Sequence, residues 1–196
     1  MKLRLQFTGV GGQGVLTGAN TLAKAFLSRG ENVLMSEVHG MAQRGGSVVC
    51  TVCVGRVYSP LIADGAADAL VSMEPVEALR SIAKLKPGGV VLTDVNPVVP
   101  ATVSMGYHQY PPLDAVLEEL GGRGTLRSID ALALARQAGH PITKNIVMLG
   151  GLAATDLLPL GREELLDTVK ANVPPAYVDM NEKAFTLGYR AVQAQR

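Results

Sequence analysis

The feature that most constrains this chain is an abrupt change of period near its start. Lys2-Leu3-Arg4-Leu5-Gln6-Phe7 alternates polar with apolar residues, the two-residue repeat of a strand. Gly9-Val10-Gly11-Gly12-Gln13-Gly14 breaks that repeat, and Val15, Leu16, Ala19, Leu22, Ala23, Phe26 and Leu27 then recur at helical spacing. Arg29-Gly30-Glu31 stops the helix, and Asn32 to Glu37 reads as a second strand. Strand, glycine turn, helix and strand make a βαβ unit of the kind that builds parallel sheets. A helix N-terminus offers unpaired N–H groups and partial positive charge, and glycines let a phosphate approach that backbone closely. Two readings of the turn stand side by side: a phosphate or pyrophosphate is its guest, or the glycines only make a tight strand-to-helix connection.

Gly9, Gly11 and Gly14 match the G-x-G-x-x-G spacing of dinucleotide-binding turns, and Glu37 stands near the place of a ribose-binding acid. On that pattern alone the chain would be a free-standing Rossmann oxidoreductase using NAD(P) or FAD. A triphosphate-binding P-loop is excluded, because no Gly-Lys-Ser or Gly-Lys-Thr follows the glycines. The polar segment from Glu37 to Ser47, with glycines at 40, 45 and 46, is the second candidate site. In a parallel sheet it leaves from the same carboxyl edge as the first turn, where ligands sit. There Arg44 can pair with phosphate or carboxylate, His39 can donate or accept, and Gly45-Gly46 can offer backbone donors. For His39 or Arg44 alone, a structural hydrogen bond or salt bridge is the competing reading.

Further strands are predicted at Ser47 to Gly55, Ala69 to Ser72 and Val90 to Thr93, with a helical stretch from Glu74 to Leu85. Prolines at 97, 100, 111 and 112 interrupt the next passage, which reads as loop with one short strand near Tyr107. Helices are expected at Leu113 to Leu120, Asp130 to Ala138, Asn145 to Leu157, Arg162 to Val173 and Glu182 to Val192, and strand signals are scarce in this final third. The fold class is therefore α/β: a Rossmann-like, mostly parallel sheet flanked by helices, with a helical C-terminal portion, taken as one domain over residues 1–196. The alternation of Lys2, Arg4 and Gln6 is unusual for a sheet centre and points those side chains to solvent or a partner.

Composition narrows the function. The 196 residues suffice to bury roughly 70% of the unfolded surface, and 47% hydrophobic against 18% charged residues excludes disorder. With 18 basic and 17 acidic side chains the net charge is +1, which gives no broad footprint for nucleic acid or an anionic membrane. No apolar run approaches a membrane span and no secretory core opens the chain, so the cytoplasm is the expected location. Cys50 and Cys53 are too few for a disulfide scaffold or for the four thiolates of an iron–sulfur cluster, so any cluster belongs to another chain. Three residues apart in a strand, they point to opposite faces and read as two buried thiols rather than a redox or metal pair. His108 and His140 lie beside prolines in expected loops without ligand partners at metal spacing.

Four segments together carry a resemblance. GVGGQGV at the first turn, EVHGMAQRGGSV after the second strand, Asn145 to Leu152, and Asn181 to Phe185 are similar, in this order, to the gamma-type subunits of 2-oxoacid:ferredoxin oxidoreductases. The HGMAQRGG wording looks most like the small subunits of the indolepyruvate branch. The resemblance implies a Rossmann-like domain packed beside a large catalytic (alpha) subunit. The complex it implies oxidatively decarboxylates a 2-oxoacid, here an aryl pyruvate, forming an acyl-CoA and reducing ferredoxin. Thiamine diphosphate and the iron–sulfur clusters are then expected in the partner, with coenzyme A as cosubstrate. Gly9, Gly11, Gly12, Gln13 and Gly14 match the family's first motif, and His39, Gly40, Gln43, Arg44, Gly45 and Gly46 its second. These are the expected cofactor-binding or interface residues. No catalytic residue or metal ligand is assigned to this chain, because the thiamine ylid carries the chemistry and the protein supplies placement and electrostatics.

Overall fold

The computed structural model describes residues 1–40 and 45–195. In chain order the elements are β1 (Lys2–Val10), α1 (Val15–Ser28), β2 (Val33–His39), β3 (Ser47–Gly55), β4 (Ala67–Ser72), α2 (Pro75–Ser81), β5 (Leu85–Asp94), α3 (Ala101–Ser104), α4 (Leu113–Arg123), β6 (Thr125–Ile129), α5 (Ala131–Ala138), α6 (Lys144–Ala153), α7 (Arg162–Ala171) and α8 (Val178–Gln193). The six strands form one sheet in the order β2-β3-β1-β4-β5-β6. β1, β4, β5 and β6 pair in parallel, whereas β3 runs antiparallel to both β1 and β2. Five strands therefore share one direction, as the α/β reading expects.

The βαβ unit read from the sequence is present, but β1 and β2 are not neighbours. β3 turns back after β2 and inserts between them, pairing Val10 with Ser47 on one side and His39 with Val48 on the other. The physical reason lies in the side chains. β3 is buried along most of its length, as a central strand must be, while β2 is half-buried and then exposed towards its end, as suits an edge.

Helices α1 and α5 to α8 cover one face over a core centred on Phe7, Phe26, Leu92, Met148 and Phe185. On the other face α2 and α4 pack over Leu70, Val91 and Leu120, and the segment around Val57 and Ile62 closes over Cys53. Cys50 belongs to the first core and Cys53 to the last, so the two thiols do point to opposite faces, both buried and free. Burial and the nearby Glu37 carboxylate push the Cys50 thiol up to about 11.

Two expectations along the sheet are corrected. Lys2 is exposed and Arg4 half-buried, but Gln6 is buried, because β1 lies third in a sheet covered on both faces. Instead of a strand near Tyr107, the proline-rich passage carries the short helix α3, started by Pro100. The sequence reading also misses β6, five residues whose pairing with β5 along Val90–Asp94 supplies what local pattern does not.

The C-terminal helices cross closely. A Cβ on Gly150 would overlap the Phe185 carbonyl, and one on Gly188 would overlap that of Val147, so α6 and α8 touch backbone to backbone. That contact fixes the height of α6 and hence of its N-terminus above the sheet edge.

Candidate functional site

The strands β1, β4, β5 and β6 deliver their following turns to one edge of the sheet. At the first, Gly12 and Gly14 take φ values of +99° and +77°, which side chains other than glycine's rarely adopt. The Gln13 side chain folds back beneath the turn, accepting from the Val10 N–H at 2.7 Å and donating to the Met73 carbonyl at 3.0 Å. Gly9 leaves room for it, since a Cβ there would lie 2.7 Å from Gln13 Oε1. No side chain caps α1, its first turn holds no acid, and nothing among the described residues accepts from the N–H groups of Gly12 and Gly14.

The same Met73 carbonyl accepts from Lys144 Nζ at 2.8 Å, and Lys144 also forms a buried ion pair with Asp94. Asp94, fully buried, further accepts from Asn96 at 2.9 Å and from the Ala131 N–H at 2.9 Å, which holds the start of α5. A cation removed from water in this way persists because its partner lies beside it. The cluster ties the first turn, the end of β5, α5 and α6 into one unit. Asn145, the next residue, packs its amide against Gly14, with Nδ2 3.0 Å from where a Cβ would be. Between the turn and the N-terminal ends of α6 and α8 opens a cavity of about 920 Å³.

The second segment is partly brought to the first. The Gly11 N–H donates to the Gly46 carbonyl at 2.8 Å, and Gly40 donates to Ser47 at 2.8 Å, so Gly40, Gly45 and Gly46 flank the end of β3 beside the glycine turn. Gly45, with φ +81°, lines a separate cavity of about 280 Å³ with Glu74 and Tyr110. His39 is not brought there: it ends edge strand β2 and pairs with Glu37 on its own strand. Gln43 and Arg44 lie outside the described residues.

The ribose-binding role for Glu37 is a correction. A dinucleotide site needs β1 and β2 side by side, but β3 lies between them and Glu37, level with Cys50 and Phe7, stands two strand spacings, about 10 Å, from β1. Sequence reasoning also passed over Lys144 as a site residue and set aside His140. Both line the large cavity, His140 through a loop whose Ile142 N–H it caps through Nδ1 at 3.1 Å. Lys144 opens the helix of the third resembling segment, and the Lys-Asn pair directly after a proline turn is the signal that could have found it. Among the described residues no three His, Cys, Asp or Glu side chains gather as a metal site, and no helix is long and apolar enough to cross a membrane.

Comparison with known proteins places this geometry. The family described as "Pyruvate ferredoxin/flavodoxin oxidoreductase" matches residues 4–191. The chain is 46% identical over 191 residues to indolepyruvate oxidoreductase subunit IorB of Thermococcus kodakarensis, covering 95% of this chain and 94% of that one. It is 38% identical to the subunit of the same name from Methanothermobacter thermautotrophicus over 97% and 98% of the two chains. Among solved structures, the keto/oxoacid ferredoxin oxidoreductase gamma subunit of Geobacter sulfurreducens superposes with a TM-score of 0.72 at 27% identity, over 98% and 99% of the chains.

Proposed function

Since the chain belongs to the pyruvate ferredoxin/flavodoxin oxidoreductase family, we propose that it is the small subunit of a complex that oxidatively decarboxylates indolepyruvate or a related aryl pyruvate. The products are an acyl-CoA and reduced ferredoxin. The observation that carries this reading is the 46% identity to a named indolepyruvate oxidoreductase subunit across nearly the whole of both chains. A large catalytic subunit holds the thiamine diphosphate and the iron–sulfur clusters, and this chain completes the assembly without turnover of its own. Its two free cysteines lie on opposite faces of a strand, far from the arrangement a cluster requires, which supports that division.

When bound, thiamine diphosphate supplies the carbanion-stabilising ylid. The work of this chain is placement. Gly9, Gly11, Gly12, Gln13 and Gly14, with Gly40, Gly45 and Gly46 beside them, meet the large subunit and the phosphate-bearing cosubstrate coenzyme A in this reading. Among the described residues the Gly12 and Gly14 N–H groups have no acceptor, which suits that contact, and the Gln13 and Lys144 bonds to the Met73 carbonyl hold the turn in place. Anaerobic purification of the tagged chain from its native host tests the assignment. A large iron–sulfur partner and CoA-dependent reduction of an electron acceptor with indolepyruvate, above pyruvate and 2-oxoglutarate, are expected. A lone, colourless chain without such activity refutes it.

A further inference from the structure

From Val95 to Leu113 the chain carries no aspartate, glutamate, lysine or arginine, although charged residues make up 18% of the whole. An uncharged run of this length is ordinarily core, as Leu5 to Ala23 is in β1 and α1, where most residues are buried. This one is different, since none of its residues is buried. It leaves the end of β5, carries α3 and returns to the start of α4, so it stands on the sheet edge that also bears the glycine turn. Val98 to Ala101 line the cavity of about 280 Å³ together with Gly45. The passage therefore adjoins the second glycine segment, whose Gly46 carbonyl accepts from the Gly11 N–H.

Exposed as it is, the passage is firmly held. The Val98 N–H, at 3.3 Å, and the Tyr110 hydroxyl both donate to Glu74, which pins its two ends to one buried carboxylate. Between them the Gly106 N–H donates to the Val103 carbonyl and the Tyr107 N–H to the Thr102 carbonyl, each at 2.9 Å. Prolines at 97, 100, 111 and 112 restrict the backbone further. On this frame Val99, Met105 and Tyr107 are 49%, 69% and 73% exposed and belong to none of the three apolar cores. Apolar side chains presented on an ordered loop cost a partner little further ordering. The set also has the composition of an interface centre, which is poor in charge and rich in tyrosine and methionine.

We propose that the loop from Val98 to Tyr110 is a docking finger for the large subunit, with Val99, Met105 and Tyr107 seated in an apolar recess of that partner. The occupant follows from place and chemistry. The loop continues the face given above to the large subunit, sharing a cavity with Gly45, and in this the inference rests on the subunit reading. The glycine turn offers hydrogen-bond donors to what it meets, and the loop supplies the apolar contact area that those donors lack. An anionic lipid surface would call for lysine or arginine, of which the passage has none.

The test compares complexes of the large subunit with the wild-type chain and with Met105→Glu, Tyr107→Glu and, as a control, Leu61→Glu. Leu61 is 70% exposed and precedes Ile62 on the segment that closes over Cys53, away from the loop. All four chains should melt alike in isolation, because each substituted side chain is exposed. Met105→Glu and Tyr107→Glu should each raise the dissociation constant of the complex at least tenfold, as a charge enters an apolar recess, while Leu61→Glu leaves it unchanged. Oxidation of Met105 by dilute hydrogen peroxide, read by mass spectrometry, should be at least tenfold slower in the complex than in the free chain. Unaltered affinity in both loop variants, or equal oxidation of Met105 free and bound, overturns the inference and leaves the subunit assignment standing. A wild-type chain that is dimeric alone and made monomeric by the same substitutions assigns the loop to a second copy and overturns it too. If the wild-type chain retains no large subunit, the subunit assignment itself fails, and the loop loses its partner with it.

Discussion

Two strand-to-helix turns leave neighbouring parallel strands at the same sheet edge, and they are finished in opposite ways. Between β4 and α2 every strong group is answered from within. Glu74 caps α2 by accepting from the Glu77 N–H at 2.8 Å, and it also accepts from the Tyr110 hydroxyl and from the Val98 N–H at 3.3 Å. Pro75 occupies the first helical position, where a missing N–H costs nothing. Glu77 in turn accepts from Ser47 at 2.6 Å and from Arg80 at 2.6 Å. Burial and the Glu74 contact push the Tyr110 hydroxyl well above the usual phenol range, so it stays a donor at any physiological pH. Between β1 and α1 the turn has glycines and, among the described residues, no side-chain cap and no acceptor for the Gly12 and Gly14 N–H groups. The open turn is thus the one that the proposed contact with coenzyme A or the large subunit would use.

The largest effect is expected where the open turn is held in place. Gly188→Ala puts a methyl group into the Val147 carbonyl and must part α6 from α8, at a cost of about 3 kcal/mol. Since α6 carries Lys144 and Asn145 to the edge, the bracing of the open turn should be lost with stability. Urea unfolding measures that cost. A loss below about 1 kcal/mol would show that α6 has another anchor.

Next comes the closed turn. Glu74→Ala removes an N-cap and strands the Tyr110 hydroxyl among buried groups, costing about 2 to 3 kcal/mol. Because Glu74 faces no cofactor in this reading, the assembled complex should keep its kcat and KM values after the change. If turnover falls while stability holds, the closed turn too belongs to the site, and the contrast between the two turns fails.

How much of this was legible beforehand follows from the range of the forces involved. The glycine turn and α1 were read correctly because period and glycine content are local properties of adjacent residues. The position of β2 was not. Its own composition suits either a neighbour of β1 or an edge, and only the competing hydrophobicity of Ser47–Gly55 decides. Local pattern therefore gives Glu37 the place of a ribose ligand, and β3, lying between β2 and β1, removes it. Lys144 was hidden for the same reason, since its meaning depends on Asp94, fifty residues earlier, and on the Met73 carbonyl. Local pattern identifies the open turn, whereas the groups that brace it from behind come from across the fold.

Gly14→Ala should cost about 1 to 2 kcal/mol, because an L side chain at φ +77° is strained and the new Cβ meets Asn145 at 3.0 Å. Gly12→Ala carries strain of the same kind but points into open space. The difference between the two variants, read from paired melting curves, isolates the Asn145 contact from backbone strain. Equal losses would mean that Asn145 yields freely, and the open turn would be less rigid than its bracing suggests.

The smallest effect separates a third turn, between β6 and α5, from the other two. Its cap is Asp130, which is exposed, so it is neither sealed like Glu74 nor open like Gly14. The Ala133 N–H and the Asn96 amide, at 2.9 Å and 2.7 Å, hold the carboxyl below its ordinary value of 3.8. A carboxyl depressed by folding contributes stability that is fully present above the unfolded value and is lost as pH falls through the folded one. Asparagine caps a helix about as well as aspartate but does not titrate. The stability gap between wild type and Asp130→Asn should therefore be constant from pH 7 to about 5 and close towards pH 3. Solvent screening at so exposed a group limits it to about 0.5 kcal/mol. A gap that widens on acidification would place the favourable contacts on the protonated form and reverse the sign of this cap's contribution.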